Sequence, residues 1–254
     1  MQKILFFFLI AYGGCGATEH NTSQLPFTSS LPASPVYHTI GAIPVPEGFV
    51  RVKSGTGSFG YWLRNIKLKK DNTVYLYNGK TKPNQSAQYA VADIPVGKKD
   101  LQQCADAVMR LRAEYLFDQK RFSEIVFSDN SGKKYSWKGG ADPFSFPQYL
   151  ERVFGMCGTA SLEKQLKPLS VKNIKPGDVF IKGGFPGHAM MVADVAKNKN
   201  GKTLYMLIQS YMPAQDIHIV KNPAIPGSPW FEVNEGTEVV TPEWTFLSSQ
   251  LREW

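Results

Sequence analysis

The sequence is poor in the residues that build metal centres and disulfide scaffolds, with three cysteines and four histidines in 254 residues. The histidines stand in different contexts without close spacing, so they form no metal-ligand pattern. Lysine and arginine are scattered rather than clustered, although the formal net charge is +8, and no nucleic-acid-binding motif occurs. We therefore expect no metal, no cofactor and no nucleic-acid partner, and a mildly cationic surface.

Long apolar runs are also missing. Residues 4–12 form an apolar run that is too short to span a bilayer, and Lys3 precedes it. Two glycines and Cys15 close the run, which resembles a bacterial lipoprotein signal in which the cysteine receives the lipid. We expect residues 1–14 to be a signal peptide and Cys15 to anchor an exported protein in a membrane, facing the periplasm or the cell surface. An ordinary cleaved signal peptide with an incidental cysteine is the alternative.

The rest of the chain divides into a short tether and one domain. Residues 15–36 contain Cys15 and then a stretch rich in Ser, Thr and Pro without periodicity, which is typical of a flexible tether. No internal repeat or domain linker follows, and a hydrophobic content of 43% suffices for one substantial core. We therefore predict a single, monomeric domain over residues 37–254.

One strong helix is predicted over residues 100–117. Apolar side chains recur there at i, i+3, i+4 and i+7, and Asp100 followed by Gln103 is typical of a capping box. Cys104 then falls near the first turn, on the stripe that faces inward. After residue 178 the pattern predicts strands at 179–181, 189–196, 204–210 and 217–220, with residues 237–246 closing the sheet. The predicted fold class is α+β, with a helix packed on a mostly antiparallel sheet.

A loop of three glycines and a proline, residues 183–187, places His188 at the start of a strand. Gly and Pro specify backbone geometry, so such a loop usually positions a side chain. A thiol at a helix N-terminus is a suitable partner, because the helix end and a nearby imidazolium are expected to lower the pKa of Cys104. Taken alone, Cys104 is typical of a buried core cysteine and His188 of a hydrogen-bonded structural histidine.

The other cysteine and histidines of the domain have simpler interpretations. In an exported protein, Cys104 and Cys157 would first suggest a disulfide, whereas a nucleophile must be free. Cys157 stands near glycines at a helix junction and is predicted to fill space. His218 alternates within a strand and is predicted to be structural, while His38 has no recognisable partner.

A third group is needed to orient the imidazole. Asp194 lies six residues along the same strand as His188, about 20 Å away at roughly 3.3 Å per residue, and cannot reach it. If the following turn centres between Lys199 and Asn200, Tyr211 lies opposite His188 and Gln209 is the diagonal neighbour on the same face. Gln209 is therefore the predicted orienting residue. Ser210 is the fallback, because a one-residue slip exchanges the two faces.

Residues 176–195 resemble the histidine motif of NlpC-type and CHAP-type cell-wall peptidases, which are papain-like cysteine hydrolases. The resemblance implies a papain-like fold in which Cys104 is the nucleophile, His188 the general base and acid, and Gln209 the orienting group. It also implies cleavage of an amide in peptidoglycan stem peptides. NlpC-type enzymes carry Asp-Cys-Ser-Gly where this chain has residues 103–106, Gln-Cys-Ala-Asp, so only the Cys104 backbone N–H remains as a candidate oxyanion donor. The alternative is an inactive papain-like lipoprotein that binds cell-wall or glycan material.

More closely, residues 37–254 resemble a family of uncharacterised bacterial lipoproteins, mostly from Bacteroidetes-type bacteria. The segments that carry this resemblance are 103–115 and 211–215. It covers nearly the whole predicted mature chain and implies no particular activity.

Overall fold

A computed structural model describes residues 37–254. The predicted signal peptide, the lipid attachment at Cys15 and the predicted tether lie outside the described residues. The helices are α1 (Phe59–Arg64), α2 (Cys104–Asp118), α3 (Phe146–Met156) and α4 (Thr159–Gln165). The strands are β1 (Phe49–Arg51), β2 (Gln88–Val91), β3 (Val126–Ser128), β4 (Lys134–Ser136), β5 (Lys167–Pro168), β6 (Val179–Lys182), β7 (His188–Asn198), β8 (Thr203–Gln209), β9 (His218–Val220), β10 (Trp230–Glu232), β11 (Glu238–Val240), β12 (Thr245–Leu247) and β13 (Leu251–Glu253).

The central feature is a nine-stranded sheet with the order β2-β9-β8-β7-β6-β13-β5, to which β1 and β10 add at β7 and β8. Its strand pairs are antiparallel. The long strands β7 and β8 are buried along most of their length and contain Val, Ile, Leu and Met, as expected of strands covered on both faces. The α+β fold class predicted from the sequence is confirmed at this level.

Alternate residues of β7 face two different cores. Ala189 and Met191 belong to the cluster that includes the apolar stripe of α2, whereas Met190 and Val192 belong to a second cluster with Phe246. This alternation follows from the two-residue period of a strand. The helix therefore covers one face of the sheet, and the C-terminal part of the chain covers the other.

The segment 237–246 does not close the sheet as predicted. Within residues 37–254, its strands β11 and β12 pair with each other and with no other strand, and Val239 and Phe246 pack against the second face of the sheet. The sheet is extended instead by β13, which pairs with β6. The prediction was wrong because an apolar strand pattern identifies a strand but not its partner.

Helix α2 begins four residues later than predicted, at Cys104. Gln103 is the N-cap, and its backbone N–H donates to Asp106 Oδ2 at 3.0 Å. The capping box predicted at Asp100 is wrong, because Asp100 Oδ1 accepts from the backbone N–H of Ala214 at 2.7 Å instead. Cys104 is consequently the first residue of the helix.

A β-bulge sets the register of β7 against β8 near His188. Next to the turn, Lys197 lies opposite Thr203, which centres the turn on Asn200. The bulge between Val192 and Asp194 shifts the pairing by one residue, so that Met191 lies opposite Ile208. The pairing ends there; extended further, the register would set Tyr211 opposite His188, and the two ring centroids lie 4.9 Å apart, although the turn itself is centred half a residue later than predicted.

Candidate active site

Cys104 lies at the N-terminus of α2 and is 5% exposed. The backbone N–H groups of Ala105 and Ala189 lie close enough to its thiol to lower the thiol pKa. Successive backbone N–H groups of a strand point to opposite neighbouring strands. The N–H of Val192 donates to Asp178 O, on the side of β6, so the N–H of Ala189, three residues earlier, points toward β8. The β7–β8 ladder ends at Met191. The thiol is therefore close to the point where the β7–β8 pairing ends.

A cleft of about 370 Å³ lies over this thiol. Its walls come from the start of α2, from the junction of α3 with α4 at Cys157, and from the glycine-rich loop before His188. Cys157 and Cys104 are both free and both line the cleft. Phe185 and Met212 are exposed at its lining, so the cleft combines a buried sulfur with an apolar rim.

The glycine that precedes His188 is required by close packing. A Cβ atom on Gly187 would lie 2.5 Å from Gly184 O and 2.7 Å from Lys182 O, closer than real Cβ contacts allow. The loop can therefore turn tightly into β7 only with glycine at this position. This close approach fixes where the His188 backbone leaves the loop.

His188 is fully buried at the start of β7. Its ring lies on the face of the sheet opposite α2, at centroid distances of 4.9 Å from Tyr211, 5.3 Å from Trp244 and 5.8 Å from Phe246. His188 Nε2 lies 2.8 Å from Gln209 Oε1. Nδ1 is buried and has no hydrogen-bond partner among the described residues.

A chain of hydrogen bonds fixes which imidazole nitrogen carries the proton. Gln209 Nε2 lies 3.0 Å from Glu243 Oε2, which can only accept, so the amide must present its NH2 group there and its Oε1 to His188. Gln209 Nε2 also lies 3.2 Å from His218 Nε2, and His218 Nδ1 donates to Asp216 O at 2.9 Å. His188 must then donate from Nε2. The lone pair is left on the unpartnered Nδ1.

The negative end of this network is neutralised by a lysine. Lys82 Nζ donates to Glu243 Oε2 at 2.6 Å, and the side chains are only 5% and 10% exposed. Burial lowers the pKa of Lys82, while the hydrogen bond to Glu243 acts in the opposite direction. Glu243 thus remains an acceptor for Gln209 inside the protein because its charge is paired.

The resting thiol and imidazole are both neutral at neutral pH. Burial raises the pKa of Cys104 to about 11, with a further increase from Asp106, and the amides of Ala105 and Ala189 only partly oppose it. Burial lowers the pKa of His188 to about 4, against the effect of its hydrogen bond to Gln209. The expected lowering of the thiol pKa is therefore wrong, because desolvation outweighs the helix N-terminus.

The predicted residues fall into two groups. The Cys104 thiol is close to the N–H of the residue after His188, at the start of β7, but the His188 ring lies on the opposite face of the sheet and no hydrogen bond joins the two side chains. Gln209 contacts His188, whereas the single hydroxyl proton of Ser210 points toward Gln102 O and Gln215 O, each 2.9 Å from Oγ and away from the ring. The catalytic roles assigned to Cys104, His188 and Gln209 stay predictions.

Asp194 serves another purpose. Its buried carboxylate accepts from Arg51 Nε at 2.5 Å and from Arg64 Nε at 2.8 Å. It thus connects β1 and α1 to β7 rather than orienting an imidazole.

Sequence reasoning missed Lys82, Glu243 and Asp106, and it assigned His218 no contact with the site. Lys82 and Glu243 are separated by 161 positions and belong to no periodic pattern. His218 could have been found from the β8–β9 pairing, since it lies opposite Gln209. Asp106 could have been found from its place two residues after Cys104 in the same first helical turn.

Residues 37–254 contain neither a metal-ligand cluster nor a membrane-spanning helix. No group of three or more His, Cys, Asp or Glu side chains is arranged to hold a metal ion there. No helix in this part of the chain has both the length and the apolar character needed to cross a membrane.

Comparison with known proteins places the chain in a family without an assigned activity. No curated protein and no solved structure matches it. The family model described as "Domain of unknown function (4846)" matches residues 40–144 and 136–253, which together make up nearly the whole described domain. The chain therefore belongs to the DUF4846 family.

Proposed function

We propose that the protein is a papain-like thiol hydrolase, an amidase or endopeptidase, with Cys104 as nucleophile, His188 as general base and acid, and Gln209 as the orienting group. The observation that carries the proposal is the unpartnered Nδ1 of His188, which the network through Gln209, Glu243 and His218 leaves with its lone pair. A buried imidazole with a free acceptor nitrogen is suited to remove a thiol proton, and the backbone N–H of the residue after His188 is close to the Cys104 thiol.

The proposed reaction begins as Cys104 Sγ attacks the carbonyl carbon of an amide and its proton passes to His188 Nδ1. The tetrahedral intermediate collapses when Nδ1–H is given to the leaving nitrogen, which departs as an amine and leaves a thioester on Cys104. Water then attacks the thioester carbonyl with Nδ1 as base, and the carboxylic acid and the thiol are released. Because Cys104 is the first residue of α2, its backbone N–H has no acceptor within the helix and is suited to the oxyanion.

We further propose peptidoglycan peptides as the substrate and a lipid-anchored, exported location for the protein, facing the periplasm or the cell surface. The support for this part is the sequence alone: the lipoprotein-type signal that ends at Cys15, and the resemblance of the His188 motif to NlpC-type and CHAP-type peptidases. The cleft over Cys104 is wide enough for a peptide segment, at about 370 Å³.

The direct test is hydrolysis of soluble peptidoglycan fragments by the full chain, followed by mass spectrometry. We expect cleaved stem peptides with the wild type and none with Cys104→Ala or His188→Ala. Cys157→Ala is the matched control, because Cys157 is the other free, buried cysteine of the same cleft and should be dispensable. Equal hydrolysis by wild type and Cys104→Ala would refute the assignment of the nucleophile.

The second candidate is an inactive papain-like protein that binds cell-wall or glycan material. The raised pKa of Cys104, about 11, favours it, because a neutral buried thiol reacts slowly. Iodoacetamide labelling of Cys104 in the resting protein should accordingly be slow at mildly acidic and neutral pH and should rise toward pH 11. Retention of cell-wall fragments without hydrolysis, and without faster labelling when fragments are present, would favour this candidate over the hydrolase.

A further inference from the structure

The cleft beside Cys104 has a charge opposite to that of the whole chain. The formal net charge of the protein is +8. Yet the charged residues that line the cleft within the described part of the chain are Asp100 and Asp106, with no lysine, arginine or histidine. A ligand group that enters this cleft therefore meets carboxylates and an apolar rim.

One of these carboxyl groups is buried with an oxygen unused. Asp106 is 6% exposed, and its Oδ2 accepts the Gln103 N–H that caps α2. Its Oδ1 has no hydrogen-bond partner among the described residues. Capping the helix uses only Oδ2. It does not account for the buried Oδ1, which has no partner in a residue that lines the cleft. A buried acceptor without a partner is costly and marks a place where a donor fits.

Asp100 is not in the same situation. It is exposed, and its Oδ1 already accepts from the N–H of Ala214 at 2.7 Å and from Gln103 Nε2 at 3.1 Å. Of the two carboxyl groups, Asp106 is thus the one that lacks a donor.

We propose that the cleft binds the ammonium group of a peptide substrate and that Asp106 accepts its hydrogen bond. The identification of the ligand as a peptide rests on the proposed function, whereas the preference for a cation rests on the cleft itself. The ammonium would supply the missing donor to Oδ1 and a compensating charge.

Binding should be accompanied by loss of a proton. Burial raises the pKa of Asp106 to about 8, so at pH 7 the carboxyl of the free protein is largely protonated, with the proton on Oδ1 because Oδ2 accepts the Gln103 N–H. A bound ammonium favours the carboxylate and lowers that pKa. Proton release on binding is measured by calorimetry in two buffers of different ionisation enthalpy.

The test is calorimetric binding to the full chain carrying Cys104→Ala, which prevents turnover. The probes are a lysine-containing peptidoglycan stem peptide with free amines and the same peptide with both amines acetylated. We expect the free peptide to bind about tenfold more tightly or better, as for a charge-assisted hydrogen bond. With Asp106→Asn, whose side-chain oxygen can still accept the Gln103 N–H, the ratio should fall to about one.

Asp100→Asn is the matched control. It removes the other carboxylate of the cleft and should not change the ratio of the affinities for the free and the acetylated peptide. Equal binding of the two peptides, no binding of either, or the same fall in both Asn variants would overturn the inference. Hydrolysis by the wild type is scored separately. Ammonium selectivity without hydrolysis would refute the proposed function and leave the ammonium site standing.

Discussion

The buried pair Lys82–Glu243 holds the Gln209 amide in the orientation that frees His188 Nδ1. We predict that replacing both charges, Lys82→Met together with Glu243→Met, leaves the protein folded but lowers hydrolysis. Without the carboxylate, Gln209 loses the acceptor that lies 3.0 Å from its Nε2, and only His218 still favours the present orientation. A flipped amide would present NH2 to His188 and move the ring proton to Nδ1.

The magnitude follows from the hydrogen bond that is lost. A bond to a charged group contributes about 1.5–3 kcal/mol, and each 1.36 kcal/mol corresponds to a factor of ten, so kcat should fall by about 10-fold to 100-fold. Glu243→Met alone leaves the ammonium of Lys82 buried without its partner, which should cost about 3–5 kcal/mol in the free energy of unfolding. The double variant avoids this cost, so its activity loss is not a folding defect.

Three measurements test the prediction. Nitrogen-15 NMR of the imidazole rings reports the tautomer of His188 independently of any activity, and denaturant unfolding reports stability. The pH profile of kcat reports whether the base has changed. The control is Lys99→Met with Glu151→Met, a salt bridge that is 65% and 44% exposed and should change none of the three. A double variant of Lys82 and Glu243 with the wild-type tautomer and wild-type kcat would refute the reasoning.

Three further predictions concern residues around the site: Gly187, Asp194 and Asp106. Gly187→Ala should displace His188 and destabilise the protein, since its Cβ would lie 2.5 Å from a carbonyl oxygen; an unchanged unfolding free energy and His188 ring spectrum would contradict this. Asp194→Ala should cost about 3–5 kcal/mol in denaturant unfolding, because Arg64 is left without its partner; a loss under 1 kcal/mol would contradict it. The pKa of Asp106 is about 8 in the folded protein and 3.8 in the unfolded chain, so folding favours the protonated form. Ionisation of Asp106 therefore lowers the free energy of unfolding progressively as pH rises from about 4 to 8. Wild-type stability should therefore fall relative to Asp106→Asn across that range, and parallel pH curves would contradict this.

The elements that carry the site could be predicted from local patterns. The stripe through Cys104 and Leu111 predicted α2, and the apolar runs predicted β6 to β9, because burial on a helix or a strand leaves its period in the sequence. The start of α2 was misplaced because Gln103 and Asp106 form the capping interaction, and Asp100 is used by a distant amide instead. Such competition between acceptors is decided by the tertiary fold.

The predicted β7–β8 register agrees with the structure near Met191 because two differences from the assumed hairpin cancel. The turn at Asn200 differs from the assumed centre by half a residue, and the bulge between Val192 and Asp194 restores the pairing. No residue pattern in the sequence predicts this bulge, which occurs where Asp194 is buried against Arg51 and Arg64. The contact of His188 with Gln209 therefore depends on a feature that strand periodicity does not encode.

In the resting protein the Cys104 thiol and the His188 imidazole are both neutral, which bears on the choice between a hydrolase and an inactive binding protein. With pKa values of about 11 for Cys104 and about 4 for His188, the proton stays on sulfur until something changes the surroundings of the pair. In its ionised form, above about pH 8, Asp106 raises the pKa of the thiol further. A cation bound to that carboxylate would offset this effect, and an oxyanion at the Cys104 N–H would use the developing charge. A hydrolase of this design is activated by its substrate, so above about pH 8 a peptide without an ammonium group should react more slowly even when the cleft admits it.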